Sequence, residues 1–281
     1  MSKSTLKLTP NEGEMLKPKE LIELKGTGAL TLQDRRVFNT LVNHAWGPNL
    51  GVEGHWFQIP TGDLRDDTDR NKRLDETIDR LMQTIVTRTD TDKDGQPVKL
   101  HKTPLLSSNN MELGVNNGVL NYCFTKELAE MLKNSTIFAK LDLEVMRSFR
   151  SKYAFSLYEA IARRVNMRRF TENLTTEDVR NILGVEDGKL EAYRNLNLRA
   201  IQPALLEVNS QSPYTVSIVP VKKGKKVVSF IMGWETKTVE QLQAAHTEMQ
   251  RHSAGRKARA DGTTEQINTQ EDVLENVREQ P

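Results

Sequence analysis

Apolar residues recur along the chain at two spacings, one typical of amphipathic helices and one typical of strands. Helical spacing is found at residues 32–45, 74–85, 141–166, 175–183 and 189–209. Two of these runs open with a capping box, because a threonine at position 31 or 175 is followed three residues later by an aspartate. We therefore predict five main helices, two of which begin at well-marked residues.

Extended segments follow the helical ones in each half of the chain. In the first half, a short strand is predicted at 55–59, and a hairpin is predicted around Asn116-Asn117-Gly118, a sequence typical of tight turns. In the second half, apolar runs at 214–221 and 227–234 enclose a lysine-rich turn. Both halves thus show helix, extended segment, helix and hairpin in the same order, which is the order of a winged-helix domain.

We accordingly predict an α+β protein with two tandem winged-helix domains related by pseudosymmetry. Residues 1–29 show little periodicity and are predicted to form an N-terminal arm. The N-terminal domain is expected at 30–139 and the C-terminal domain at 140–235, joined through a long helix that starts near Leu141. Residues 236–281 begin with a helical pattern but then carry too little apolar surface to fold independently, so a mostly disordered tail is predicted.

The second domain contains a helix-turn-helix pattern whose longer helix has a polar face opposite its apolar stripe. Side chains on that face are of the types that make bidentate contacts with base edges or bind phosphates. Pro203 cannot donate a backbone hydrogen bond, so we predict a kink or a new helical segment at this position. The DNA-contacting residues predicted on this helix are Lys189, Arg194, Asn195, Asn197, Arg199 and Gln202.

Two further basic groups are candidates for contact with DNA phosphates. Lysines at the tip of the second hairpin form a basic wing, and ammonium groups there can displace the counterions of a phosphate backbone. In the first domain, basic residues stand at the start of helix 74–85, where positive charge opposes the helix dipole. The position of these basic residues predicts a phosphate contact, although an exposed, solvated turn explains it equally well. These residues are Lys222, Lys223, Lys225, Lys226, Arg70, Lys72 and Arg73.

Charge is unevenly distributed along the chain. The net charge of +2 over 281 residues is too small to attract nucleic acid by itself. Residues 141–235, however, hold 15 Lys and Arg against 11 Asp and Glu, whereas residues 261–281 hold six acidic residues against Arg278. The basic excess therefore lies in the half that carries the helix-turn-helix pattern.

Sequences that would indicate catalysis or metal binding are weak. Residues 90–95 match the start of an EF-hand loop, but His101 stands where its bidentate glutamate belongs, so we predict a polar hairpin turn there. Cys123 is the single cysteine, which excludes an internal disulfide. The chain has neither a His-x-His pair nor a Gly-x-x-x-x-Gly-Lys-Ser/Thr loop, so we expect no enzymatic activity and no cofactor. It also lacks a run of about 18 apolar residues, so we expect no membrane span and a cytoplasmic protein.

The second half of the chain carries four motifs in a fixed order. They are Tyr153-Ala154-Phe155-Ser156-Leu157-Tyr158-Glu159, Leu183-Gly184-Val185, Tyr193 and Arg199-Ala200-Ile201-Gln202-Pro203-Ala204-Leu205-Leu206-Glu207-Val208-Asn209. Together they resemble the replication initiator (Rep) proteins of iteron-containing, theta-replicating plasmids, and the resemblance covers about residues 15–235. It implies that the C-terminal domain reads repeated double-stranded DNA sites (iterons) at an origin. Leu198 departs from the basic residue that the family often has at this position.

The same resemblance implies roles for the N-terminal domain and for partners. That domain is expected to contact the DNA backbone in a monomer and to mediate dimerisation otherwise, and a dimer is expected to repress its own promoter. A host initiator and the replicative helicase are the expected protein partners. We therefore predict an initiator of plasmid replication that binds origin repeats and helps to open an adjacent A·T-rich segment. A winged-helix transcriptional regulator is the alternative, and a winged-helix scaffold for protein contacts fits the polar face and basic wing less well.

Overall fold

The structure is a computed structural model that describes residues 5–64, 71–92, 94, 96–111 and 118–263. The helices are α1 (Lys19–Ile22), α2 (Leu32–His44), α3 (Asn71–Gln83), α4 (Lys126–Lys133), α5 (Leu143–Ser148), α6 (Lys152–Arg164), α7 (Thr176–Leu183), α8 (Tyr193–Leu196), α9 (Gln202–Gln211), α10 (Val239–Gln250) and α11 (Arg256–Ala260). The strands are β1 (Glu14–Pro18), β2 (Trp56–Pro60), β3 (Ile85–Thr91), β4 (Pro97–Pro104), β5 (Ser108–Met111), β6 (Val119–Cys123), β7 (Phe138–Asp142), β8 (Thr171–Leu174), β9 (Tyr214–Lys223) and β10 (Lys226–Thr236).

Two three-stranded sheets share one strand order, and this relates the two halves of the molecule. The first sheet has the order β2–β6–β5 and the second β8–β10–β9, so in each the strand after the first helix pairs with the last strand of the hairpin. Helices α2 and α6 take the first-helix position, while α3 and the helical segment 193–211 take the third. The predicted pair of winged-helix domains is confirmed. The antiparallel ribbon β3–β4 is an insertion found in the first domain.

Both predicted capping boxes are present. At the start of α2, the Thr31 hydroxyl accepts a hydrogen bond from the Asp34 backbone amide at 3.2 Å, and the Asp34 carboxylate accepts one from the Thr31 amide at 2.8 Å. Thr175 and Asp178 repeat this arrangement at the start of α7. Gly184 then ends α7 in the left-handed conformation, with φ of +65°, as its position in the sequence indicates.

Residues 1–29 were predicted to be an arm, but from Glu14 onward they belong to the folded body. Strand β1 pairs antiparallel with β7, and Met15, Leu21 and Leu24 are buried. The prediction was wrong because a strand as short as β1 shows no clear periodicity, and its partner begins at Phe138, far along the chain.

The long helix predicted at 141–166 is broken into α5 and α6. Phe149 between them is fully buried, and the Ser151 hydroxyl caps α6 by accepting from the Tyr153 amide at 3.2 Å. The Glu207 carboxylate of α9 accepts hydrogen bonds from the amides of Arg150 and Ser151 at 2.8 and 3.1 Å. The break thus depends on a side chain more than fifty residues away, which periodicity within the segment does not reveal.

The antiparallel ribbon β3–β4 flanks the sequence that resembles an EF-hand loop, and Lys93 and Gly95 of that loop lie outside the described residues. The Asp90 carboxylate binds the Arg88 guanidinium and lies 2.8 Å from the His101 ring nitrogen Nε2. Within the described residues no group of three or more histidine, cysteine or acidic side chains could hold a metal ion. Ile85, predicted in the preceding helix, instead opens β3, since α3 ends at Gln83. The Asn116-Asn117 turn lies outside the described residues.

Residues 236–281 were predicted to be mostly disordered, and this is wrong for 239–260. They form α10, which begins where the helical pattern indicated, and α11, both packed against α9. The Glu248 carboxylate holds α11 in place, accepting from Arg259 Nη2 at 2.6 Å and from Arg256 Nε at 3.1 Å. Residues 264–281 lie outside the described part. No described helix is long and apolar enough to cross a membrane.

The two domains meet through buried polar contacts as well as a shared apolar core. The Lys17 ammonium on β1 donates to the Glu159 carboxylate of α6 at 2.6 Å, and the Asn39 amide of α2 donates to the same oxygen at 2.7 Å. Nearby, the Lys152 ammonium donates to the Gly28 carbonyl at 2.6 Å. Gly28 also lies directly against the Glu186 backbone in the turn after α7, so close that a Cβ would not fit.

Candidate nucleic-acid interface

One arginine holds the turn that precedes α8. The helix was predicted to start at Lys189, but Leu190 has a φ of +52°, which no helix contains, and α8 begins at Tyr193. The Arg180 guanidinium donates to the carbonyls of Lys189 and Leu190 at 2.7 and 3.2 Å. Lys189 is exposed and lies in the turn of the helix-turn-helix, four residues before α8 begins.

Residues 193–211 form one continuous helical segment, about 28 Å long at 1.5 Å per residue, which we call the reading helix. Its buried face packs against the core of the second domain, and the opposite face points to solvent. No described carboxylate forms an ion pair with Arg194 or Arg199. The buried face is Leu196, Ala200, Ile201, Ala204 and Val208, and the exposed face is Arg194, Asn195, Leu198, Arg199 and Gln202.

The reading helix is irregular in its middle, as the position of Pro203 predicts. Residues Asn197–Ile201 form a π-helical turn, and α9 begins at Gln202 with proline in its first turn. Because Pro203 has no amide hydrogen, the Arg199 carbonyl lacks its usual donor four residues later. Asn197 is half-buried and its amide oxygen accepts from Gln202 Nε2 at 3.3 Å. Of the predicted residues on this helix, Asn197 and Gln202 thus already bond to each other.

The spacing of Glu207 and Asn209 within the Pro203–Asn209 motif has a structural explanation. Glu207 accepts hydrogen bonds from the Arg150 and Ser151 amides just before α6. The Asn209 amide donates to the Val216 carbonyl at 2.9 Å and accepts from the Val216 amide at 2.8 Å, so it joins the reading helix to β9. One glutamate and one asparagine therefore set the helix against both the domain core and the wing.

Lys237 also holds the end of the reading helix, a contact that no pattern in the sequence indicates. Its ammonium group donates to the carbonyls of Asn209 and Ser212, at the point where α9 ends. Burial lowers the pKa of Lys237 to about 8. A cation at a helix C-terminus interacts favourably with the carbonyl dipoles, which offsets part of that burial cost.

The wing consists of β9 and β10 joined at Gly224, whose φ is +63°. All four predicted lysines at its tip are exposed, and Lys223 pairs directly opposite Lys226 in the ladder. Like charges at directly opposed positions of a hairpin are unfavourable unless an anion lies between them or nearby. The tip therefore concentrates positive charge on exposed side chains.

Of the basic residues predicted at the start of α3, Arg70 and the side chains of Lys72 and Arg73 lie outside the described part of the chain. Their contact with phosphate stays a prediction. The arginines at the end of α6 differ, because Arg163 pairs with Glu23 at 3.0 Å and Arg164 with Glu172 at 2.7 Å. Those two arginines have a structural role.

Family comparison agrees with this architecture. The model described as "Initiator Replication protein, WH1" matches residues 14–162, and the model described as "Initiator Rep protein, WH2" matches residues 175–234. The chain belongs to the initiator Rep protein family. The WH1 match of this Rep protein includes β1 and most of α6, which the sequence placed in an arm and in the second domain. Helices α10 and α11 follow the end of the WH2 match.

A solved initiator structure shares the fold of this Rep protein. The crystal structure of the Pi initiator protein in complex with iteron DNA superposes with a TM-score of 0.55 at 16% sequence identity, covering 82% of this chain and 99% of that one. A structure of domains 2 and 3 of RctB gives a TM-score of 0.45 at 11% identity, covering 82% of this chain and 95% of that chain. No curated protein matches the sequence.

Proposed function

We propose that this Rep protein initiates plasmid replication by binding repeated double-stranded DNA sites, or iterons, at the origin. The observation that carries the proposal is the solvent-facing side of the reading helix, where Arg194, Asn195, Arg199 and Gln202 are exposed together. A helix of this kind fits the major groove, where arginine recognises guanine and asparagine or glutamine recognises adenine. Family membership and the fold shared with an iteron-bound initiator support it and favour an initiator over a transcriptional regulator.

The wing contributes affinity in this proposal, and the reading helix contributes specificity. Lysines 222, 223, 225 and 226 meet phosphates, which carry no sequence information but position the helix on the duplex. Lys189, in the turn before the helix, is also placed near the backbone by this arrangement. Arg70, Lys72 and Arg73 supply a second backbone contact from the first domain.

The later steps rest on the family resemblance. After binding, the protein assists opening of an A·T-rich segment and recruits a host initiator and the replicative helicase. It exists as a monomer that initiates and as a dimer, formed through the N-terminal domain, that represses its own promoter.

Selection of bound sequences from a random duplex pool tests the function directly. We expect a single recognition sequence, which also occurs as direct repeats about two helical turns apart beside an A·T-rich tract in the plasmid that encodes the protein. A pool that yields no preferred sequence, or one inverted repeat at a promoter, would count against the proposal.

Two substitutions at Arg199 distinguish base reading from phosphate contact. Arg199→Lys keeps the positive charge but loses the planar fork that binds guanine in bidentate fashion. If Arg199 reads a base, we expect both Arg199→Lys and Arg199→Ala to weaken binding by about 1–3 kcal/mol and to relax preference at one position. If lysine restores full affinity and specificity, Arg199 contacts phosphate instead.

A further inference from the structure

A groove of about 1090 Å³ separates the reading helix from the α10–α11 unit. Its floor is mainly apolar and includes Leu205 and Leu206 of α9 and Ala244 of α10. Leu198 and Gln202 line the same groove, and both also belong to the exposed face of the reading helix. Leu198 has 58% of its surface exposed. We call this feature the α9–α10 groove; it borders the surface proposed to enter DNA.

The α9–α10 groove is rich in cationic side chains. Five cations line it against the carboxylates of Glu248 and Asp261, which leaves a net charge of +3. Three of the five already have partners, because Arg256 and Arg259 pair with Glu248 and Lys237 donates to carbonyls at the end of α9. Lys257 is exposed and makes no ion pair with any described residue. An apolar floor with a basic rim fits an acidic, amphipathic segment better than it fits a bare phosphate backbone, which has no apolar face to bury. The cations are Lys237, Arg251, Arg256, Lys257 and Arg259.

The chain itself supplies such a segment next to the groove. The described part ends at Thr263, which lines a depression shared with Lys257 and Asp261. The following 18 residues, 264–281, contain five acidic residues and one arginine, a net charge of −4. Within them, the apolar residues of 271–277 occur at i, i+1 and i+4, the spacing of one helical face.

The size of the groove agrees with this occupant. Residues 271–277 amount to about two helical turns, and two turns of a helix about 11 Å across occupy roughly 1000 Å³. A segment with too little apolar surface to fold alone can still fold on such a surface, because the groove supplies the missing contacts. Attachment at Thr263 also holds the segment at a high effective concentration near the groove.

We propose that residues 264–281 dock in the α9–α10 groove through 271–277 and thereby oppose DNA binding. The docked segment covers Leu198 and Gln202 at the edge of the reading face and brings carboxylates close to where phosphates would lie. The effect on DNA rests on the proposed function, whereas docking itself does not. If the segment occupies the groove in about nine molecules of ten, apparent affinity for DNA falls about tenfold.

Docking is measured without DNA by the distance between two labels in the full-length chain. The native Cys123 is buried and is replaced by alanine, and labels are placed at Gln243→Cys, which is exposed on α10 beside the groove, and at Asn276→Cys in the segment. We expect a narrow distance distribution centred within about 20 Å, because the groove is about two helical turns long. The undocking variant Val273→Ser, Leu274→Ser, Val277→Ser keeps every charge and should broaden this distribution, whereas the control Ile267→Ser should leave it unchanged.

Affinity for DNA is then measured with the same variants and no labels. The undocking variant should bind both a random duplex and the selected repeats about tenfold more tightly than wild type, and Ile267→Ser should bind as wild type does. Because the undocking variant retains the net charge of the segment, this gain cannot come from removing charge repulsion. A broad distance distribution in wild type, or docking without any change in DNA affinity, overturns the proposal. If the segment docks but the protein prefers no repeat over a random duplex, the proposed function alone is refuted.

Discussion

Replacing Gly28 by alanine tests how closely the two domains fit. An added Cβ would lie 2.5 Å from the Glu186 Cα and 2.8 Å from the Val185 carbonyl carbon, whereas carbon atoms in contact are normally 3.5–4.0 Å apart. Both neighbours are backbone atoms of the turn after α7, so the domains must separate there by about 1 Å. Forcing an extra carbon into a packed site costs about 1–3 kcal/mol, which for a chain of this size lowers Tm by about 2–6 °C.

Gly62→Ala is the matched control for this prediction. The chemical change is the same, neither glycine adopts the left-handed backbone region, and nothing lies within 4 Å of the Cβ that would be added at Gly62. We expect Gly62→Ala to leave Tm unchanged or slightly raised, because alanine restricts the unfolded chain. Calorimetry measures both variants, and hydrogen exchange should show increased opening at 184–187 in Gly28→Ala alone. Equal Tm values for the two variants would refute the proposed tight contact.

Three other properties can be checked on the same protein. Glu159→Ala leaves the Lys17 ammonium buried without its charged partner and should lower the free energy of unfolding in urea by about 3–5 kcal/mol. Adding Lys17→Met should recover most of this loss. A loss below about 1 kcal/mol would contradict the buried ion pair. Lys223→Ala with Lys225→Ala should weaken binding to every duplex and flatten the dependence on salt, so an unchanged slope would show that the wing does not touch phosphate. The pKa of Lys237 falls on folding from an ordinary 10.5 to about 8, so the unfolded chain binds more protons between these pH values. The stability of the wild type relative to Lys237→Met should therefore rise from pH 8 to pH 10.5. A difference in stability that does not change with pH would refute the burial of that ammonium group.

Features encoded within a few consecutive residues could be predicted from the sequence. The capping boxes at Thr31 and Thr175 bond within their own first turn, and Gly184 ends α7 because glycine alone adopts its backbone conformation without strain. The two wing strands were predicted from apolar runs on both sides of a lysine-rich turn. The exposed face of the reading helix followed from the 3.6-residue helical period, so the candidate site could be predicted from the sequence.

The remaining features depended on partners distant in sequence, and the tertiary structure alone decided them. Strand β1 exists because β7 pairs with it, the long predicted helix breaks where Glu207 binds the Arg150 and Ser151 amides, and α11 is held by Glu248. Each of these contacts offsets a local cost, such as an uncapped helix start or an unpaired strand, that no short window of sequence reveals. Hydrophobic and polar patterning thus determined the two winged helices and the reading face, while long-range hydrogen bonds and close backbone packing determined how the elements are joined.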